Sequence, residues 1–361
     1  TAIMNQRKEP LSATPMNFLD MHSLLMVPTI CPPFSTLIIG LFKYWNQEFS
    51  RMGKVRHGVA GNPIGHSLSP ALTAIVHAHL SRTENVELPG LKGVVVIPTE
   101  GVENALAWGY AGSLPSPPDW ELVGSPLGKF RANTLLERAV NASMEHVEGD
   151  ARLPDATLPE SDHNTHPFNE EEVWLSLTSP LKHQLSAAAV RCIDNAMDIR
   201  SVNTLRWDGG SWWAASSDGP GMCMVAQAFG HQSGGVLGII GGGGTARSVA
   251  ASWTLNGGRV KQLGGKRILE EEGPWNLCDD ETDFVINFDE DGGDISVRYG
   301  EMEGDFDSRI DYLANNADGR WLLCAQHLHS WASLWAPKYA EHLPSLSLLM
   351  TRLVAVEVHL D

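Results

Sequence analysis

The stretch from Val236 to Leu255 constrains the fold of this chain more than any other. Val236-Leu237-Gly238-Ile239-Ile240 reads as a buried strand, and Arg247 to Leu255 reads as a helix. Between them lies Gly241-Gly242-Gly243-Gly244-Thr245-Ala246, with Gly241, Gly243 and Ala246 at the small-residue positions of a dinucleotide-binding turn. Glycines there permit a tight turn and close backbone approach, so that a pyrophosphate rests on the helix N-terminus. The next strand, Arg259 to Leu263, ends in Gly264-Gly265-Lys266-Arg267. An acid at that point would hold the ribose 2′-hydroxyl of NAD, whereas Lys266 and Arg267 suit the 2′-phosphate of NADP. NADP is therefore expected ahead of NAD, although two basic residues at a helix start also have an ordinary surface reading.

A second run, Asn62-Pro63-Ile64-Gly65-His66-Ser67-Leu68-Ser69-Pro70, precedes a segment whose Leu72, Ile75, Val76 and Leu80 share a helical face. Ser69 is predicted to be the N-cap and Pro70 the first helical residue. The Ser67 and Ser69 hydroxyls would then stand at a helix N-terminus, a seat for a small anion such as a carboxylate. Val173 to Thr178 reads as a strand, and Ser179-Pro180 opens a predicted helix with Leu181, Leu185, Ala188 and Cys192 on one face. Lys182 falls in its first turn, where the dipole disfavours an ammonium by a few tenths to ~1 kcal/mol. A lysine destabilised as a cation is suited to proton transfer near neutral pH, and a surface lysine is the alternative. A hairpin over Ser201 to Ala214, turning at Asp208-Gly209-Gly210, delivers Asn203 on one arm and Asp218-Gly219 after the other. Asn203 can donate to and accept from a hydroxylated ligand. Asp218 either pairs with Lys182 or simply forms a turn.

Alternating strands and helices from about Val55 predict an α/β fold of two domains with parallel sheets, and 361 residues suffice for both cores. The expected divisions are 1–51 as an extension, 52–217, 218–319 and 320–361, with 115–172 as a proline-rich surface insertion holding one helix, Asn133 to Glu145. Leu24 to Phe42 is uncharged and long enough to span a membrane, but Pro28, Pro32 and Pro33 interrupt it. The extension is thus read as loosely ordered or as preceding the true start at Met52. A net charge of −17 argues against nucleic acid or an anionic membrane as partner. Five scattered cysteines without a CxxC pair suggest neither a zinc site nor a disulfide framework, and fit a reducing, cytoplasmic setting. His146, His163, His166, His327 and His329 are read as solvated histidines, so no metal is expected.

Taken in order, these motifs resemble the shikimate dehydrogenase family from about Val55 to the C-terminus, apart from the insertion. Gly61 to Pro70 is similar to its Gly-Asn-Pro-Ile-x-His-Ser-x-Ser-Pro signature, and Leu177 to Lys182 to its Val-Thr-x-Pro-x-Lys motif. Asn203-Thr204, Asp218 to Gly221, Gly241 to Thr245, Ile286-Asn287 and Gly319 to Gln326 follow in the family's sequence. The resemblance implies a substrate domain, a Rossmann-type nucleotide domain, a cleft between them, and C-terminal helices returning to the first. It implies that Ser67 and Ser69 hold the substrate carboxylate and that Thr178, Asn203 and Gln326 bind ring hydroxyls. Lys182 and Asp218 would be the catalytic pair, with Asn287 on the cofactor side. The implied reaction is the reversible NADPH-dependent reduction of 3-dehydroshikimate to shikimate, in aromatic amino acid biosynthesis, by a monomer or homodimer. A quinate/shikimate dehydrogenase using NAD and a non-catalytic ligand sensor are the alternatives. Departures gather on the cofactor side: Gly264-Gly265-Lys266 replaces Asn-Arg-Thr, Phe288-Asp289 follows Asn287, and Tyr299 is the nearest counterpart of a motif tyrosine.

Overall fold

The computed structural model describes residues 53–65, 67–110, 133–158 and 167–360. The extension 1–51, His66, and segments 111–132 and 159–166 with His163 and His166 lie outside the described residues.

In the first sheet β1 (Lys54–Gly61), β2 (Gly90–Pro98) and β3 (Glu171–Leu177) are parallel, with β1 between the other two. Then β4 (Arg191–Cys192), β5 (Thr204–Trp207) and β6 (Trp212–Ala215) extend it to the order β2-β1-β3-β5-β6-β4. Both β3–β5 and β5–β6 pair antiparallel, so the predicted hairpin extends the parallel strands into a mixed sheet. A parallel neighbour needs a crossover of about a dozen residues or more. The turn Asp208-Gly209-Gly210 is far shorter, and its Asp208 Oδ1 accepts from the Gly210 and Ser211 amides at 2.9 and 2.7 Å.

Alternation along β3 buries both faces of the sheet. Val173, Leu175 and Leu177 face the layer containing α2 (Val102–Tyr110), while Trp174 faces the opposite core. That opposite core is built by α1 (Ser69–Ala78), α3 (Asn133–Ser143) and the C-terminal helices. In α3, which falls within the stretch expected to be a surface insertion, Leu136, Ala139 and Val140 are buried. Across the sheet, Arg206 forks onto Glu172 at 2.7 and 2.9 Å, and Glu172 also accepts from Trp174 Nε1 at 2.9 Å. Both charges are buried, and removing either partner of such a pair costs about 3–5 kcal/mol.

The second sheet begins after α4 (Asp218–Ala228), with β7 (Val236–Ile240), α5 (Gly244–Leu255), β8 (Arg259–Gln262), β9 (Phe284–Asn287) and β10 (Ile295–Ser296). Its order is β10-β9-β7-β8, all parallel, and a bridge from Val260 to Leu277 adds a further residue outside β8. The chain thus winds outward from β7 and then returns to β7's other side. Its glycine turn stands at that switch point, where open α/β sheets form their crevice.

Among the described residues three α-helices follow the second sheet: α6 (Phe306–Asn315), α7 (Gly319–Ser330) and α8 (Leu346–Leu360). Asp305 and Asp318 cap the first two by accepting from the Ser308 and Arg320 amides. α7 packs on α4, and α8 packs on α1 and α3. No helix among the described residues is long and apolar enough to cross a membrane.

The reading of His327 and His329 as solvated is corrected, because both lie on α7 and are buried. Burial pushes His329 down to about 4 and His327 to about 3. Burial likewise lowers His79 to about 4, with Arg352 adding to the effect. These rings fold neutral, whereas the unfolded chain takes up protons as pH falls through about 6.5. Stability is therefore fully present above about pH 6.5 and is lost progressively as pH falls toward 4. His329→Leu is expected to remove roughly 3 kcal/mol of that acid-side loss at 1.36 kcal/mol per unit. Urea unfolding of both proteins at pH 7.5 and 4.5 checks it, and an unchanged difference between the two pH values would refute it.

Candidate active site

The site assembles where β3, the hairpin, α4 and α5 converge. The chain after Ser179-Pro180 makes only a three-residue 3₁₀ turn, Leu181–His183, and not the predicted helix. Leu181 is the buried anchor, and Gln184 then reaches back to α2, accepting from the Val102 amide at 2.9 Å and donating to Glu100 O at 2.8 Å. With no long helix behind it, Lys182 feels no helix dipole of consequence, and its environment is set by direct partners instead.

Lys182 Nζ donates to Asp218 Oδ2 at 2.5 Å and to Thr245 Oγ1 at 3.0 Å. Asp218 is the first residue of α4, and its side chain is 1% exposed against 16% for Lys182. Its second oxygen accepts from Asn203 Nδ2 at 2.8 Å, while Thr245 Oγ1 donates to Oδ2 at 3.0 Å. Gly219 lets α4 reach this position: a Cβ there would lie 2.2 Å from the Ser248 carbonyl oxygen of α5. Asn203 lines the recess, yet its carboxamide is fully committed. Besides Asp218 it donates to Ser217 Oγ at 2.9 Å, and its oxygen accepts from the Ser217 amide at 2.7 Å. Its geometry is that of a group positioning Asp218 rather than one free to grip a ring hydroxyl.

On one side of Lys182 lies a recess of about 80 Å³ whose wall includes Ser67, Ser69, Thr178, Asn203, Gln326 and His327. Ser69 is the first residue of α1 and not its cap. The Ser67 hydroxyl takes over part of that role by accepting from the Ser69 amide at 3.3 Å, which leaves the Ser69 hydroxyl available to the recess. The Thr178 hydroxyl and the Gln326 carboxamide are likewise without a hydrogen-bond partner among the described residues. Tyr299, which sequence reading treats only as a motif counterpart, lines this recess as well, and burial pushes its phenol up so that it stays protonated.

On the other side a cavity of about 780 Å³ shares Thr178, Lys182, Tyr299, Leu323 and Gln326 with the recess. Gly243, Gly244, Thr245 and Ala246 line it, and the N-terminus of α5 has no side-chain cap. Its free backbone donors and positive dipole end suit a phosphate. Arg267 lines the cavity too, 3.3 Å from where a Gly243 Cβ would stand, with no hydrogen bond or ion pair among the described residues.

Four cofactor-side expectations change. Gly241 and Gly242 do not face the cavity: the Gly241 amide donates to Gly264 O at 2.8 Å, and a Gly242 Cβ would lie 2.4 Å from the Ile268 backbone. Asn287 caps its own turn, accepting from the Asp289 and Glu290 amides at 3.0 and 3.1 Å. Lys266 starts no helix; its amide donates to Asp289 Oδ2 at 2.5 Å and its ammonium lies 3.8 Å from Glu290. Asp289, which the sequence places on the cofactor side after Asn287, does line the cavity, and β9 rather than β8 brings it there. No group of three or more His, Cys, Asp or Glu among the described residues could hold a metal.

No family model matches the chain, and no curated protein does. Solved structures do. Shikimate 5-dehydrogenase from Thermus thermophilus, in complex with shikimate, is 18% identical over 84% of this chain and 99% of its own, with a TM-score of 0.46. The same enzyme with NADP(H) and shikimate is 19% identical over 83% and 99%, with a TM-score of 0.47. Shikimate dehydrogenase from Aquifex aeolicus is 14% identical over 83% and 97%, with a TM-score of 0.46.

Asn203→Ala would strip Asp218 Oδ1 and the Ser217 amide of their partners inside the fold. An unsatisfied buried polar group costs about 1–3 kcal/mol, so a loss of that order in urea unfolding is expected. Thr178→Ala, which removes a hydroxyl with no protein partner among the described residues, is expected to change stability by less than about 0.5 kcal/mol. Equal losses in the two variants would refute this division.

Proposed function

We propose that this protein is a nicotinamide-dependent oxidoreductase of the shikimate dehydrogenase type, interconverting 3-dehydroshikimate and shikimate. The observation carrying the reading is the Lys182–Asp218 pair, 2.5 Å apart at the junction of a hydroxyl-rich recess and a phosphate-competent cavity. When bound, NADP(H) supplies or accepts the hydride. Ser67 and Ser69 at the start of α1 receive the substrate carboxylate, helped by unpaired backbone donors and the dipole. Thr178 and Gln326 meet ring hydroxyls. Lys182, as the ammonium, gives its proton to the carbonyl oxygen as that carbon takes up hydride, and recovers one from solvent. In reverse it takes the hydroxyl proton. Asp218 holds the amine in line, and Asn203 and Thr245 hold Asp218.

Arg267 supports NADP as a free cation over the α5 N-terminus. A second reading, NAD, is favoured by Asp289, whose Oδ1 lies 3.0 Å from where a Gly241 Cβ would stand. A carboxylate there would accept from a ribose hydroxyl and repel a 2′-phosphate.

Steady-state rates with shikimate and quinate, each with NADP and NAD, separate these readings. The highest kcat/KM is expected for shikimate with NADP, and turnover of quinate with NAD alone would overturn the assignment. Lys182→Ala is expected to lower kcat about 10²–10⁴-fold while shikimate binding, followed by calorimetry, changes less than about tenfold. Wild-type turnover in that variant would remove Lys182 from the mechanism.

A further inference from the structure

His327 follows Gln326 on α7 and lines the recess, with 1% of its surface exposed. Neither of its ring nitrogens has a hydrogen-bond partner among the described residues. Its ring is held in place rather than loose: Trp335 stands edge-on at 5.7 Å and His57 lies 6.3 Å away, centroid to centroid. No hydrogen bond joins the two rings: His57 Nε2 is engaged with Thr73 Oγ1 at 3.2 Å and Ser176 Oγ at 3.4 Å, and His57 Nδ1 has no hydrogen-bond partner among the described residues. A locked, buried imidazole with both nitrogens idle costs free energy that a polar ligand atom in the recess would return.

We propose that His327 is a specificity residue that hydrogen-bonds a hydroxyl of the ring acid held in the recess. This rests on the reading of the recess as an acid site. The chemistry selects the group. Burial keeps the ring neutral, so in either tautomer it presents one N–H donor and one lone pair. A hydroxyl both donates and accepts, so it can use either nitrogen. An ionised carboxylate only accepts, and its seat is at Ser67 and Ser69, on a different element. His327 therefore adds a reader of the ligand's hydroxyl pattern beside Thr178 and Gln326, and disfavours acids that bring only carbon to that wall.

The test is calorimetric titration with shikimate and with cyclohex-1-ene-1-carboxylate, which keeps the carboxylate and ring but has no hydroxyl. His327→Phe keeps an aromatic ring against Trp335 and removes both nitrogens. It is expected to weaken shikimate about 10–100-fold and to leave the hydroxyl-free acid unchanged or tighter, collapsing the ratio of the two Kd values. His327→Gln restores a donor and an acceptor, and is expected to recover part of that ratio; it carries the test alone if His327→Phe does not fold. Equal weakening of both acids, or no change in the ratio, would mean that His327 only packs and would overturn the proposal. Wild-type protein that binds neither acid would overturn the acid-site reading itself, and this inference with it.

Discussion

A single buried carboxylate holds the candidate site together. Asp218 has 1% of its side chain exposed, and an uncompensated charge at such a position would cost several kcal/mol. The fold meets that demand from three places: Asn203 just before β5, Lys182 on the 3₁₀ turn after β3, and Thr245 at the start of α5. Each donor belongs to a different element, so satisfying Asp218 fixes the hairpin, the turn and the glycine-loop helix relative to α4. The same requirement explains Gly219, since only a residue without a Cβ lets α4 come this close to Ser248. Stability and chemistry thus share one group, and Lys182 stands at the recess because Asp218 needs a cation.

Much of this is legible in the order of residues alone. The hairpin, β7, the glycine turn and α5 stand where periodicity and turn residues put them, because short-range chemistry decides such elements. All five residues expected around the substrate line one recess, together with Lys182. What residue order does not carry is long-range. The apolar spacing Leu181, Leu185, Ala188, Cys192 looks helical, yet Gln184 is drawn to α2, far away along the chain, and the helix stops after one turn. Ser69 looks like a cap, but Ser67 accepts its amide from two residues upstream. Asn203 is legible as a site residue, but its hold on Asp218 is not, because that contact depends on which neighbours the topology provides. His327 reads as solvated because a polar residue in a helix pattern gives no sign that Trp335 and His57 enclose it.

The polar groups around the recess fall into two sets, and the division carries information. Asn203, Ser217, Thr204 and Ser330 form a closed network in which each hydroxyl or amide meets another, for example Thr204 to Ser330 at 2.7 Å. Such a network is rigid and offers a ligand little. Ser69, Thr178, Gln326 and His327 are left out of it, although they line the same wall. A fold optimised for stability alone would pair these groups or replace them with carbon. Their idleness, in direct continuity with a fully satisfied network, is the feature on which the proposed acid site rests.

The cofactor side obeys the same logic with a different outcome. The segment from Gly264 to Ile268 lies over Gly241 and Gly242, tied by the Gly241 amide to Gly264 and by the Lys266 amide to Asp289. The first half of the glycine turn is therefore occupied by the chain itself, and the donors from Gly243 onward remain for a phosphate. Arg267 rides on that covering segment, so its reach toward the phosphate seat is set by how firmly Asp289 holds Lys266 in place. A carboxylate and a guanidinium contributed by two loops thus meet at one turn with opposite preferences for a ribose phosphate. Under the proposed function, the choice between NADP and NAD becomes a contest between them, set beside β9 rather than by an acid at the end of β8.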